Sequence, residues 1–138
     1  MALGALREDA LSATTGGFVL RLALPWIRSL PLASLTEVTV RIDGEPAAVA
    51  VRLGARTVAV ADLGAEPGWW FVQDRVALVG DRVLRAGIRD VDVAFRLAIP
   101  YMPGRDGPLV LPFRAVAALV VDAAASATVS REVGSEAA

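Results

Sequence analysis

Apolar and polar side chains alternate with a period of two along most of the chain. In residues 17–24 every second side chain is a large apolar one, and the positions between them include Arg21. A period of two places successive side chains on opposite faces of a β-strand. The same pattern predicts further strands over residues 37–43, 48–53, 69–79, 91–99 and 116–121.

Turn-forming residues separate these segments. Asp43-Gly44 suits a tight hairpin, and further Gly- or Pro-containing turns follow near residues 67–68, 80–81, 87 and 103–108. Short strands at this spacing, with at most one or two helical turns in residues 2–13, predict an all-β, antiparallel β-sandwich with an immunoglobulin-like two-sheet architecture. We expect one domain over residues 17–122, an N-terminal extension (1–16) and a flexible C-terminal tail (123–138).

The composition indicates a protein that needs a partner. Hydrophobic residues make up 55% of the chain and the mean hydropathy is +0.54. The longest apolar stretches, such as residues 115–121, are far shorter than the ~20 residues that span a bilayer. No basic residue precedes an early apolar run, so we expect a cytoplasmic chain without a secretory signal. Excess apolar surface on such a chain favours a protein interface.

Several chemistries are excluded by residue types that the sequence lacks. The chain contains no Cys, His or Lys. A thiolate or imidazole nucleophile, a lysine Schiff base, a disulfide and a His/Cys zinc site are therefore impossible. The net charge of −1, without a basic cluster, makes nucleic-acid binding improbable.

Three segments do not fit plain sandwich strands. Residues 24–32 and 99–104 are bracketed by prolines, and residues 68–75 carry adjacent tryptophans. All three Trp residues, the single Tyr and one of the two Met lie in these segments. Such residues are enriched at the centres of interfaces, so they predict a contact surface or a ligand rim. Alternation places Trp69 and Phe71 on one face and Trp70 on the other.

Other interpretations of these residues remain open. Tryptophans and tyrosines are common in sandwich cores, and prolines often simply end strands. Exposed tryptophans also suit a stand-alone carbohydrate-binding module that stacks on sugar rings. Paired carboxylates such as Asp90 and Asp92 are the groups that glycosidases use, although alternating charge on an exposed strand explains them as well. The turn at residues 104–107 has too few carboxylates for a calcium loop.

Taken together and in this order, the unusual segments resemble the small β subunit of bacterial C-glycoside deglycosidases. The matching stretches are residues 17–22 (GFVLRL), 24–32 (LPWIRSLPL), 40–45 (VRIDGE), 69–71 (WWF) and 99–103 (IPYMP). The resemblance covers about residues 17–121. Ile27 departs from it, because the family pattern has an aromatic residue there.

The resemblance implies a two-chain enzyme that cleaves the C–C bond of 3-oxo C-glycosides, such as those of flavonoids. The larger α subunit would be a TIM barrel similar to sugar-phosphate isomerases, and would hold a divalent metal, manganese. This chain would contribute no catalytic residue and no metal ligand. Its predicted contacts with the partner or the pocket rim are Trp26, Arg28, Trp69, Trp70, Tyr101 and Met102. Arg28 would pair with a carboxylate of the partner.

Overall fold

The computed structural model describes residues 4–122 and 132–133. Within them the chain forms eleven strands and two short 3₁₀ helices, Leu32–Ser34 and Val60–Ala65. The strands are β1 (Leu11–Thr14), β2 (Gly17–Ala23), β3 (Leu30–Pro31), β4 (Leu35–Ile42), β5 (Glu45–Ala47), β6 (Val49–Leu53), β7 (Arg56–Ala59), β8 (Trp69–Trp70), β9 (Arg75–Gly80), β10 (Ile88–Pro103) and β11 (Pro108–Val120). No helix in this described part is long and apolar enough to cross a membrane.

The strands pair antiparallel in two main sheets. One sheet has five strands in the order β1-β2-β9-β6-β7, and the other has four in the order β11-β10-β4-β5. The short strands β3 and β8 form a separate pair, and apolar side chains from both main sheets share one core. The predicted all-β antiparallel sandwich is therefore confirmed.

Alternation along the strands builds this core. Phe18, Leu20 and Leu22 point inward from β2, and Phe95 and Leu97 point inward from β10, and all five are almost completely buried. Burying a large apolar side chain contributes roughly 2 kcal/mol. Packing of these inward rows therefore stabilises a chain that has no disulfide.

The Asp43-Gly44 turn connects β4 to β5 as predicted. Both residues have positive φ, 51° for Asp43 and 83° for Gly44. A two-residue hairpin turn with this backbone matches the twist of the flanking strands. The Asp43 carboxylate also accepts a hydrogen bond from the backbone N–H of Asp90 at 2.9 Å, which ties the turn to β10.

The single strand predicted over residues 69–79 is wrong. Residues 69–70 form β8, which pairs with β3, whereas β9 begins only at Arg75 and joins the five-stranded sheet. A turn separates them, in which the N–H of Asp74 donates to the carbonyl of Phe71 at 2.9 Å. Asp favours such turns, and this one switches the chain between sheets.

The segment assigned to an N-terminal extension contains strand β1, and its described residues form turns but no regular helix. Leu11 pairs with Leu20 of β2, and Ala5, Ala10 and Leu11 are completely buried. The segment is too short to form a stable helix by itself. Its pairing with β2 adds an edge strand to the five-stranded sheet.

The predicted flexible tail at residues 123–138 lies largely outside the described residues. The two described residues there contact the five-stranded sheet. Glu132 forms a bidentate ion pair with Arg52 at 2.7 and 3.0 Å, and the N–H of Val133 donates to the carbonyl of Arg75. Val133 itself is buried.

Strands β10 and β11 form a hairpin that is longer than the sequence predicts. Their ladder runs from Ile88 opposite Val120 to Ile99 opposite Leu109, and resumes at Pro103 opposite Pro108 after a register shift. The N–H of Gly104 donates to the carbonyl of Gly107 at 2.6 Å, and a Cβ on Gly104 would lie only 2.9 Å from the carbonyl oxygen of Pro108. This tight tip positions residues 100–103.

Candidate functional site

The three unusual segments of the sequence converge on one region of the surface. The indole Nε1–H of Trp26 donates to the hydroxyl of Tyr101 at 2.6 Å, which joins the 24–29 loop to the tip of the β10–β11 hairpin. The hydroxyl of Ser29 accepts from the backbone N–H of Val72 at 2.9 Å. The pairing of β3 with β8 continues this connection. The 24–29 loop therefore links the other two segments.

Trp26 is anchored on the core from below. Its ring packs edge-to-face on Phe113, with centroids 6.4 Å apart, and Phe113 stacks on the buried Phe95 at 5.6 Å. Aromatic pairs in these geometries stabilise each other beyond the area that they bury. The position of Trp26 is therefore set by packing before any partner binds.

Arg28 lies over the ring of Tyr101, with Cζ 5.3 Å from the ring centroid. This is the geometry of a cation–π contact. Within the described part of the chain no carboxylate pairs with Arg28, whose side chain is exposed. The guanidinium is thus positioned by an aromatic ring and retains its hydrogen-bond donors.

We refer to Trp26, Ile27, Arg28, Tyr101 and Met102 as the aromatic patch. Ile27 is 83% exposed and Tyr101 is 47% exposed, and Met102 is also exposed. Four of the six residues that the sequence predicts for the site thus lie together. The sequence indicated Ile27 only as a departure from a family pattern, yet it is the most exposed large apolar residue described.

The two neighbouring tryptophans have opposite environments, as alternation predicted. Trp69 is 50% exposed, whereas Trp70 is completely buried and donates its indole N–H to the carbonyl of Asp74 at 3.1 Å. Trp70 is therefore a core residue and is not available to a partner. The side chain of Trp70 points inward because successive side chains of a strand point to opposite faces, and the inner face of β8 covers the sandwich core.

Trp69 and Phe71 line a groove of about 750 Å³, which we call the Trp69 groove. Arg56 and Glu66 line it as well, and they form a bidentate ion pair with distances of 2.5 and 3.1 Å. The hydrogen bonds from Arg56 lower the pKa of the Glu66 carboxyl. The contacts predicted from the sequence do not include Phe71, Arg56 or Glu66, since their proximity depends on how β7 packs against the second 3₁₀ helix.

The candidate carboxylate pair does not form a glycosidase site. Asp92 accepts two hydrogen bonds from Arg114 at 2.6 and 2.9 Å, and these lower the pKa of the Asp92 carboxyl. Asp90 lies near the Asp43 turn instead. Among the residues that the structure describes, no three Asp or Glu side chains come together as metal ligands. The described residues therefore do not fit a metal site.

A second exposed apolar surface was missed in the sequence analysis. It lies on the outer face of the β10–β11 hairpin and includes Ile88, Val110, Val116 and Val120. The sequence signal for this surface is that residues 116–121 are apolar at every position, so the outward face of the strand is apolar as well as the inward one. Pro108 and Pro112 lie in the edge strand β11, where they remove backbone donors and hinder the addition of another strand.

Comparison with characterised proteins decides the family. No family model matches the chain. The 3'-dehydrocarminate deglycosidase beta subunit of Microbacterium sp. is 35% identical over 107 residues, which are 74% of this chain and 81% of that protein. The chain belongs to the β-subunit family of C-glycoside deglycosidases. Membership in a β-subunit family implies a partner α subunit and a heteromeric enzyme, and the sequence resemblance is thereby confirmed.

The family assignment gives the aromatic patch a context. A β subunit must present a surface to its partner, and interface centres are rich in Trp, Tyr, Met and Arg. The aromatic patch contains one residue of each type. All four were among the contacts predicted from the sequence: Trp26, Arg28, Tyr101 and Met102.

Proposed function

We propose that this chain is a non-catalytic subunit of a carbon–carbon lyase that acts on 3-oxo C-glycosides, and that it docks on its α subunit through the aromatic patch. The observation that carries the proposal is the Trp26–Tyr101 hydrogen bond, because it holds exposed interface-type residues from two distant segments in one surface. A surface that is organised before binding loses less conformational entropy on association.

The chemistry of such a lyase is an elimination that starts with the removal of a C–H proton by a base. The ketone at C3 of the sugar acidifies the C2 proton, which a base removes to form an enolate. Collapse of the enolate forms a C1–C2 double bond and breaks the bond from C1 to the aglycone carbon, which leaves with the electron pair and takes up a proton. A base of suitable pKa is needed, and this chain contains no histidine or lysine.

The partner in this proposal is a TIM-barrel subunit similar to sugar-phosphate isomerases. It supplies the base and holds a divalent metal, manganese, whose role is to stabilise the negative charge of the enolate. The substrates are 3-oxo C-glycosides of flavonoids or related aromatic compounds. This chain's own share is to stabilise the barrel and to shape the rim of its pocket, with Arg28 paired to a carboxylate of the partner.

Co-expression with a candidate α subunit, an isomerase-like TIM-barrel protein to be sought in the gene neighbourhood, tests the proposal. We expect the two chains to co-elute in size-exclusion chromatography, and the complex to cleave a 3-oxo flavonoid C-glucoside. This chain alone is expected to be poorly soluble or inactive. A stable isolated monomer that cleaves the substrate would contradict the proposal, as would a fully active α subunit that never binds this chain.

A further inference from the structure

The Trp69 groove combines two exposed aromatic rings with a planar polar pair. Trp69 and Phe71 are 50% and 44% exposed and line the same groove, Trp69 from β8 and Phe71 from the turn that follows it. Arg56 and Glu66 also line it. A concave site with apolar surface and a few fixed polar groups is the usual form of a small-molecule site, and about 750 Å³ is within the range that such ligands occupy.

The groove is held in place by backbone hydrogen bonds. Trp69 pairs with Pro31 in the β3–β8 ladder, and the N–H of Leu32 donates to the carbonyl of Gly68 at 2.9 Å. Below it, the completely buried Trp70 fixes the backbone through its bond to Asp74. The backbone that carries both aromatic rings is therefore held rigidly, so less conformational entropy is lost when a ligand binds.

The polar pair selects a neutral ligand with many hydroxyl groups. Arg56 and Glu66 cancel each other's charge, and the other charged residues that line the groove, Asp74 and the Arg52-paired Glu132, are acidic, so the groove offers no net attraction to a phosphate or a carboxylate. The guanidinium has five N–H donors, and Glu66 accepts two hydrogen bonds from it. Donors on Arg56 and lone pairs on Glu66 remain for groups that both donate and accept, as sugar hydroxyls do.

We propose that the Trp69 groove binds a neutral glycoside, with one face of the sugar stacked on Trp69 and the aromatic aglycone against Phe71. The sugar contributes C–H groups to the ring face and hydroxyls to Arg56 and Glu66, and the aglycone fills apolar surface. The choice of an aromatic glycoside rests on the proposed function. The accessory subunit would then bind a glycoside in the Trp69 groove, outside the catalytic pocket of the partner.

Titration of the full-length chain with a flavonoid C-glucoside that carries no 3-oxo group tests this proposal. Such a glucoside lacks the ketone that the elimination needs, so it serves as an unreactive probe. Binding is measured by calorimetry and by saturation-transfer NMR, with methyl β-glucoside and the free flavone as fragments. We expect the C-glucoside to bind more tightly than either fragment.

Three variants locate the binding site. Trp69→Ala should weaken binding about tenfold or more, and Trp69→Phe, which retains a ring, about threefold or less. Arg56→Ala should weaken binding about fivefold through the lost hydrogen bonds. Arg96→Ala is the matched control. It breaks an exposed ion pair with Glu37 on the four-stranded sheet, away from the groove, and should leave binding unchanged.

Absence of glycoside binding to the full-length chain would overturn the proposal. Binding that Trp69→Ala leaves unchanged would overturn it as well, since the ligand would then sit elsewhere. Complex formation with the α subunit is scored separately by size-exclusion chromatography. A chain that assembles with its partner but binds no glycoside contradicts only this inference, whereas one that binds glycoside but never assembles contradicts only the proposed function.

Discussion

The indole of Trp26 and the hydroxyl of Tyr101 are joined by a 2.6 Å hydrogen bond between residues 75 positions apart. The bond connects a proline-bracketed loop to the tip of a long hairpin. It therefore sets the shape of the aromatic patch. The same loop contacts the turn that follows β8, because Ser29 accepts from the N–H of Val72, so the patch and the Trp69 groove share one support.

A double-mutant cycle measures this connection. Trp26→Phe and Tyr101→Phe each remove the hydrogen bond but retain an aromatic ring. We expect each to lower the free energy of unfolding by about 0.5–1 kcal/mol, and the double variant to lose little more than either single one. Urea unfolding of the full-length chain gives the values. Strictly additive losses would show that the two side chains are not coupled.

The adjacent tryptophans should respond in opposite ways to truncation. Trp70→Ala removes a completely buried ring and is expected to lower the free energy of unfolding by about 3–5 kcal/mol. Trp69→Ala, the matched control, truncates a half-exposed ring and should cost about 1 kcal/mol or less. Urea denaturation followed by circular dichroism compares them. Equal losses for the two variants would contradict the assignment of Trp70 to the core.

The ion pair between Asp9 and Arg75 holds the N-terminal segment on the five-stranded sheet. Its side chains are only 8% and 10% exposed, and the closest oxygen–nitrogen distance is 2.9 Å. Asp9→Ala leaves the guanidinium buried without this partner, so we expect a loss of about 3 kcal/mol in the free energy of unfolding.

The matched control for Asp9 is Glu37→Ala, which breaks the well-exposed pair with Arg96. Exposed pairs contribute about 0–1 kcal/mol. Chemical denaturation of both variants provides the comparison. A loss for Asp9→Ala no greater than that for Glu37→Ala would mean that the N-terminal segment contributes little to the fold.

The Asp43 turn makes stability sensitive to acid. The N–H of Asp90 and then the guanidinium of Arg89 lower the pKa of the Asp43 carboxyl below its ordinary 3.8. A depressed pKa stabilises the fold above the ordinary value, and this contribution is lost as the pH falls from 3.8 through the lower folded value.

Asp43→Asn tests this contribution. Asn tolerates the positive φ and keeps an acceptor oxygen for Asp90, but it cannot titrate. Stability curves from pH 6 to pH 2 should fall less steeply at the acid end for the variant than for the native chain. Parallel curves for the two proteins would exclude Asp43 as a contributor.

The regular part of the fold was accessible from the sequence because it depends on local alternation. The rows Phe18–Leu20–Leu22 and Val93–Phe95–Leu97 each bury one face of a strand, and the Asp43-Gly44 pair specifies its turn. The opposite environments of Trp69 and Trp70 follow from the same rule. Such features depend on side chains within a few residues of one another.

Features that depend on distant residues could not be predicted in this way. Residues 71–72 are apolar enough to continue a strand, and the turn over residues 71–74 becomes evident only where the chain passes from the β3–β8 pair to the five-stranded sheet. Strand β1 exists because β2 offers it an edge. Likewise, Arg56 and Glu66 come together where β7 packs against the second 3₁₀ helix, and only the folded chain places Trp69 beside them, so the groove has no signature in the sequence.

Affinity for the α subunit tests the central claim, that the aromatic patch is the docking surface. Tyr101→Ala removes the hydrogen bond to Trp26 and the ring beneath Arg28, and should weaken the complex about tenfold or more. Val83→Ala is the control, since Val83 is 69% exposed in the loop that precedes β10, at the end of that strand opposite Tyr101.

The dissociation constant of the α–β complex, measured by calorimetry for the native chain and both variants, is therefore the decisive quantity. We expect a large increase for Tyr101→Ala and a change of about twofold or less for Val83→Ala. An unchanged dissociation constant for Tyr101→Ala would place the docking surface elsewhere on the sandwich and contradict the account.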